Sequence, residues 1–100
     1  MAQVSQRIVA EVTAYTPSDD ECGKHDGITA SGTYATEGRT IAMDNSIPFG
    51  TKVLIGDTVY IVEDRGGSIK GNHVDIFMND KDRAQEFGRR QMQIKILEED

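Results

Sequence analysis

Apolar and polar residues alternate along this chain in short runs, each closed off by glycine, proline, asparagine or aspartate, and that period of two points to strands. In RIVAEVTA, Ile8, Ala10, Val12 and Ala14 alternate with Arg7, Val9, Glu11 and Thr13. TIAM offers a short strand, and SIPFGTK turns into KVLI. A turn at Gly56 and Asp57 then joins KVLI to TVYIVE as a hairpin. HVDIF sets Val74 and Ile76 on one face and Asp75 and Phe77 on the other, and QMQIKIL directs Met92, Ile94 and Ile96 one way. One segment departs from this period. In NDKDRAQEFG, Asn79 or Asp80 can cap a helix, Asp82 enters its first turn, Ala84 and Phe87 share a face, and Gly88 ends it.

Six strands and one helix in 100 residues expose many edges, which closure into an antiparallel or mixed barrel removes. The expected fold is mainly β, with one short helix near the C-terminus. With 37% apolar residues and neither repeat nor linker, residues 1–100 are read as a single domain around one core. The loop from Thr16 to Arg39 is longer than a compact domain tolerates without a use.

The net charge of −6 opposes binding to phosphate backbones, and no basic patch faces an anionic bilayer. Nucleic acid and membrane insertion are therefore not expected. MAQVSQRIVAEVTAY holds neither a long apolar run nor a basic lead into one, so no signal peptide is expected and synthesis is placed in the cytoplasm. Cys22 is the only cysteine, which rules out an intramolecular disulfide. With His25 it makes a C-x-x-H spacing among acids, short of the four dependable ligands of structural zinc. No metal or cofactor is expected.

EDRGGSIKGNHVD, residues 63–75, concentrates the chemistry. Asp64 ends a strand with Val59, Ile61 and Val62 as apolar members, and Asp75 lies inside the next strand. If the crossing between them folds back, the two acids reach a common cleft, where mutual repulsion and apolar neighbours favour one retained proton. Such an acid can protonate a glycosidic oxygen as its bond breaks. Gly66, Gly67 and Gly71 would let the backbone approach a ligand, and Lys70 would meet a hydroxyl or an anion. Against this stands an ordinary role for each: a turn cap, a carboxylate bonded to loop amides, a solvated lysine. GGSIKG lacks the glycine-lysine-serine or threonine ending of a phosphate loop. His73 is a further candidate substrate contact. Tyr15, Tyr34 and Phe77 would either stack on sugars or cover the barrel.

Together EVTAYT, GITASGT, TIAMD, IPFGTKVLI, VEDRGGSIKGNHVDIF and FGRRQMQIKIL carry a resemblance over nearly the whole chain. The sequence resembles the 3D domain, named for three aspartates, of bacterial and phage cell-wall proteins. Related domains are six-stranded double-psi β-barrels, similar to the catalytic barrel of the MltA class of lytic transglycosylases. The resemblance implies cleavage between N-acetylmuramic acid and N-acetylglucosamine in peptidoglycan glycan strands, with a 1,6-anhydromuramoyl product. The family aspartates fall on Asp44, Asp64 and Asp75. Asp75 would be the acid and base, Asp64 and Asp44 would orient substrate or tune it, and Thr29 and Ser31 would line the cleft with the glycine-rich turn.

Two departures stand out: Asp44-Asn45 where the family commonly has aspartate-proline, and DRGGS where it has aspartate-threonine-glycine-glycine-alanine. Arg65 thereby sets a positive charge beside Asp64, which favours Asp75 as the acid. A phage lysin released by a holin, or a virion component, fits the expected absence of a leader. A barrel that binds wall glycan or builds a virion without catalysis, and a hydrolase of the same bond, are the alternatives.

Overall fold

The computed structural model describes residues 2–16 and 27–99. Strand β1 (Ala2–Tyr15) is followed by β2 (Thr40–Ala42), β3 (Lys52–Ile55), β4 (Thr58–Asp64), β5 (His73–Phe77), helix α1 (Lys81–Phe87) and β6 (Arg90–Glu99). The strands close a barrel in the order β1-β5-β2-β4-β3-β6, with β1/β5 and β2/β4 parallel and the other pairs antiparallel. This is the six-stranded barrel of mixed strand order that the sequence led us to expect.

Alternation places the core. Ala10 and Val12 of β1, Val53 and Ile55 of β3, Val74 and Ile76 of β5, and Ile94 and Ile96 of β6 point inward with Ile41, Met43 and Val62. Val9, on the opposite face of β1, is 62% exposed. The inward face of β4 differs from the sequence expectation. Tyr60 and Val62 pack on the core while Val59 is exposed, because β4 pairs Val53 with Tyr60 and so inherits its face from β3. Gly56 has φ 65° at the first position of the two-residue hairpin turn, where a type II′ turn calls for glycine.

Helix α1 begins where its cap predicts. The Asp80 carboxylate accepts from the backbone N–H groups of Asp82 and Arg83, and Gly88, at φ 63°, ends the helix. Ala84 is its buried residue. Glu37 ties this end of the barrel to the 35–39 segment, accepting from the Asn79 N–H at 2.7 Å and from the Arg83 guanidinium. The Arg83 hydrogen bond holds the Glu37 carboxyl down to about 2. A carboxyl depressed on folding stabilises above its unfolded pKa and loses that contribution as pH falls through the folded one. Wild type should therefore exceed Glu37→Gln by about 1 kcal/mol or less at pH 7, as befits a surface pair. Chemical denaturation should show that gap closing as pH falls from about 4.5 towards 2; a gap independent of pH would disprove the coupling.

Candidate active site

Since Val74 and Ile76 enter the core, Asp75 between them faces outward from the barrel. On β1 the same logic sends Val12 inward and Thr13 and Tyr15 outward. Thr13 stands in register with Asp75, and its hydroxyl donates to Asp75 Oδ1 at 2.9 Å. On the far side, Asp75 is paired with Ala42 of β2.

Asp64 reaches the same outer face by a different device. Strict alternation after the inward Val62 would put Glu63 outside and Asp64 inside. Instead the register of β4 against β2 shifts: Ile41 pairs with Val62, but Ala42 pairs with Asp64. Glu63 is the extra residue of this bulge, and the slip turns Asp64 out beside Ala42. Asp64 and Asp75 therefore flank β2 on one face, their backbones two strand spacings, or about 9.5 Å, apart.

Both oxygens of Asp64 are engaged. Oδ2 accepts from the Tyr15 hydroxyl at 2.8 Å, and Oδ1 accepts from the Ala30 N–H at 3.0 Å and the Arg65 N–H at 2.9 Å. Asp64 thus anchors the 27–35 segment, which folds back through the Ile28–Tyr34 bridge. Inside that turn the hydroxyls of Thr29, Ser31 and Thr33 lie 2.9–3.1 Å from one another, and the Ser31 N–H donates to the Glu63 carbonyl at 3.0 Å. Thr29 is buried and Ser31 half-buried, so the Thr29 hydroxyl serves the turn. Tyr15 packs edge-on against Phe77, with centroids 5.4 Å apart. Phe77 is buried as a cover of the barrel, while Tyr34 is 70% exposed.

Asp44 sits two residues beyond Ala42, and its carboxylate accepts from the Ser46 N–H at 3.0 Å. Hydrogen bonds from Ser46, with further ones from the Gly71 and Asn45 backbone, lower its pKa from the usual carboxylate value. Gly71, at φ 61°, thus directs its amide to Asp44 across the crossing. Gly66 has a packing reason, since a Cβ there would lie 2.9 Å from Cγ1 of buried Ile69. Gly67 and Lys70 are exposed on this crossing. Arg65 does not spend its guanidinium on the Asp64 carboxylate in the way its sequence position suggested. Nη1 donates to the Met43 carbonyl at 3.3 Å and Nη2 to the Ile47 carbonyl at 2.7 Å, while the group stacks 4.1 Å from the Phe49 centroid. It fastens the Asp44-bearing loop to the end of β4.

His73 is half-buried, with Nε2 2.8 Å from Thr13 Oγ1. Two residues escaped the sequence reading. Thr13 was read only as a polar member of its strand. Glu63 is a buried carboxylate that accepts from the Thr40 hydroxyl at 2.7 Å and Arg39 Nε at 3.2 Å. Thr40, the buried first residue of TIAM, gave no local sign of that partner. A groove of about 400 Å³ borders Thr13 on its other side, between β1 and α1, with Lys81 and Arg89 at its walls. Cys22 and His25 lie outside the described residues. Among those described, no group of three or more His, Cys, Asp or Glu is placed to hold a metal ion, and no helix is long and apolar enough to cross a membrane.

Tyr15 lies within the field of three carboxylates. Burial, then the charge of Asp64 and its hydrogen bond, then Asp75 and Glu63, push its phenol up. A group raised on folding stabilises fully below its unfolded pKa, about 10 for tyrosine, and loses that contribution as pH rises. Tyr15→Phe, which removes one bond to a charged acceptor, should cost about 1.5–3 kcal/mol at pH 7. Denaturation midpoints should show that deficit shrinking above about pH 10; a constant deficit would contradict the buried-phenol account.

A match to the 3D domain covers residues 39–98, which include Asp44, Asp64 and Asp75. The chain belongs to the 3D domain family. A Bacillus subtilis relative, the cell wall-binding protein YocH, is 35% identical across 95% of this chain, which spans only 34% of YocH. Among solved structures, Escherichia coli MltA, described as having a unique lytic transglycosylase fold, superposes with a TM-score of 0.63 at 24% identity. That superposition covers 73% of this 3D domain and 28% of MltA. MltA with bound chitohexaose gives 0.58 at 21% identity, covering 71% of this chain and 27% of MltA. The MltA likeness establishes the barrel as a shared fold.

Proposed function

We propose that this 3D domain is a peptidoglycan lytic transglycosylase, with Asp75 as its acid and base. The observation that carries the reading is the division of labour among the three aspartates. Asp64 has both oxygens committed to holding the 27–35 turn, and Asp44 is bonded to amides that favour its ionised form. Asp75 lies at the centre of the outer face, partly open and held by a hydroxyl. A general acid has to surrender a proton and then recover one, and a carboxyl bonded to a hydroxyl, which can donate to the carboxylate or accept from the acid, suits the task.

In the proposed reaction, protonated Asp75 gives its proton to the glycosidic oxygen as the bond from muramoyl C1 breaks. The muramoyl C6 hydroxyl then attacks C1 and passes its proton to the Asp75 carboxylate, which closes a 1,6-anhydro ring and restores the acid. The nucleophile belongs to the same sugar, so no water has to be positioned between two carboxyls. Asp64 keeps the 27–35 turn beside the substrate, and exposed Gly67 and Lys70 border its path with His73. The site of action is the bacterial cell wall.

A second reading, a wall-glycan binding module without catalysis, is favoured by the name of the YocH relative. Mass spectrometry of muropeptides released from intact peptidoglycan separates the readings. Anhydromuramoyl ends support the transglycosylase, and reducing ends indicate hydrolysis. Co-sedimentation with the wall without soluble product would establish the binding module instead.

A further inference from the structure

We propose that Thr13 is a positioning residue that links Asp75 to His73, giving the Asp75 proton a second seat on the imidazole. The inference rests on the transglycosylase reading above and supplies what that reading lacks, a way to satisfy Asp75 in both of its protonation states.

Thr13 Oγ1 lies 2.8 Å from His73 Nε2 and 2.9 Å from Asp75 Oδ1, with the Val74 carbonyl more distant at 3.5 Å. A threonine hydroxyl carries one proton, so it cannot donate to both near neighbours at once. Two arrangements satisfy all three groups. In the first, Nε2–H donates to Oγ1 and the Thr13 hydroxyl donates to the Asp75 carboxylate. In the second, protonated Asp75 donates to Oγ1 and the Thr13 hydroxyl donates to unprotonated Nε2.

Passing from the second to the first moves one proton at each end of the chain. The Oδ1–H bond of Asp75 breaks as a new Oγ1–H bond forms, and the former Thr13 proton bonds to Nε2. The net change is carboxylic acid and neutral imidazole becoming carboxylate and imidazolium, with Thr13 unaltered. The chain can therefore hold either the acid form needed for leaving-group protonation or the base form needed afterwards, without leaving a donor or acceptor unmatched.

The placement follows from the fold. His73, Asp75 and Thr13 all project from the outer face of the parallel β1/β5 pair, whose register sets Thr13 opposite Asp75 and Glu11 opposite His73. Among the described residues, the other ionisable groups near these three are Glu11, its partner Arg89, Lys81 across the groove beside Thr13, Tyr15 and, beyond Tyr15, Asp64. None of them is altered in the variants below.

The first test compares muropeptide release by wild type, Thr13→Ser, Thr13→Val, His73→Phe and the Thr13→Val/His73→Phe double variant. Serine keeps the hydroxyl and should hold kcat within about threefold, whereas valine, nearly isosteric, should lower kcat on the order of 10- to 100-fold with little change in KM. The double variant should be no slower than the worse single, since both break one chain. The second test needs no activity. With Asp75 ionised, as in the first arrangement, the proton NMR spectrum should show an exchange-protected His73 Nε2–H signal in wild type and Thr13→Ser that disappears in Thr13→Val, with His25→Gln separating the two histidines.

Wild-type kcat in Thr13→Val, multiplicative losses in the double variant, or an Nε2–H signal that survives Thr13→Val would each overturn the relay. A wild-type protein that releases no product would remove the transglycosylase reading instead, and the NMR arm would then decide the hydrogen-bonded chain alone.

Discussion

Asp75→Asn is expected to lower the release of anhydromuramoyl products about 100- to 10,000-fold, the range of a lost general acid and base. The asparagine carboxamide is nearly isosteric with the carboxyl and its oxygen can still accept from the Thr13 hydroxyl, so the fold should persist with a Tm close to that of wild type. Asp44→Asn and Asp64→Asn provide the contrast. Each removes a carboxylate that organises a loop, and each should reduce turnover less than Asp75→Asn does. Quantitative muropeptide analysis at equal folded concentration makes the comparison. If Asp75→Asn retains wild-type product release, or if Asp64→Asn proves the more damaging, the assignment of the acid and base to Asp75 fails.

Ile41→Ala should be the most damaging of the stability variants proposed. Ile41 is fully buried in the three-residue strand β2, paired with Ile76 on one side and Val62 on the other. Truncating a buried isoleucine loses transfer free energy and leaves a cavity, together costing about 2–5 kcal/mol. For a domain of this size that corresponds to a Tm lower by roughly 10–30 °C, measurable by circular dichroism. The consequence extends to the site, because Ala42 separates the strands that carry Asp64 and Asp75. A loss below about 1 kcal/mol would be inconsistent with β2 crossing the core as described.

Much of this architecture is written in local pattern. Alternation in RIVAEVTA, HVDIF and QMQIKIL assigned the inward faces of β1, β5 and β6 correctly, because burial on one side of a pleated strand demands a period of two. Asp80 and Gly88 bound α1 because a helix end needs a carboxylate for its free amides and a residue that tolerates positive φ at its exit. The outward direction of Asp75 follows from the same alternation and was legible before any contact was known.

The Asp64 side of the site was not. Once pairing with β3 turns Val62 inward, alternation alone would send Asp64 to the core; the bulge at Glu63 places it outside. Val59 looked like a core residue and is exposed, because β4 takes its face from pairing with β3. Thr13 meets Asp75 and His73 about sixty positions along the chain, and Glu63 meets Thr40 through another non-local pairing. The sequence alone therefore determined the strand periodicity, the capped helix and the aspartates worth examining. The closed barrel decided their register, and with it which carboxyl holds the 27–35 turn and which stands opposite Thr13, because register depends on pairings between distant segments.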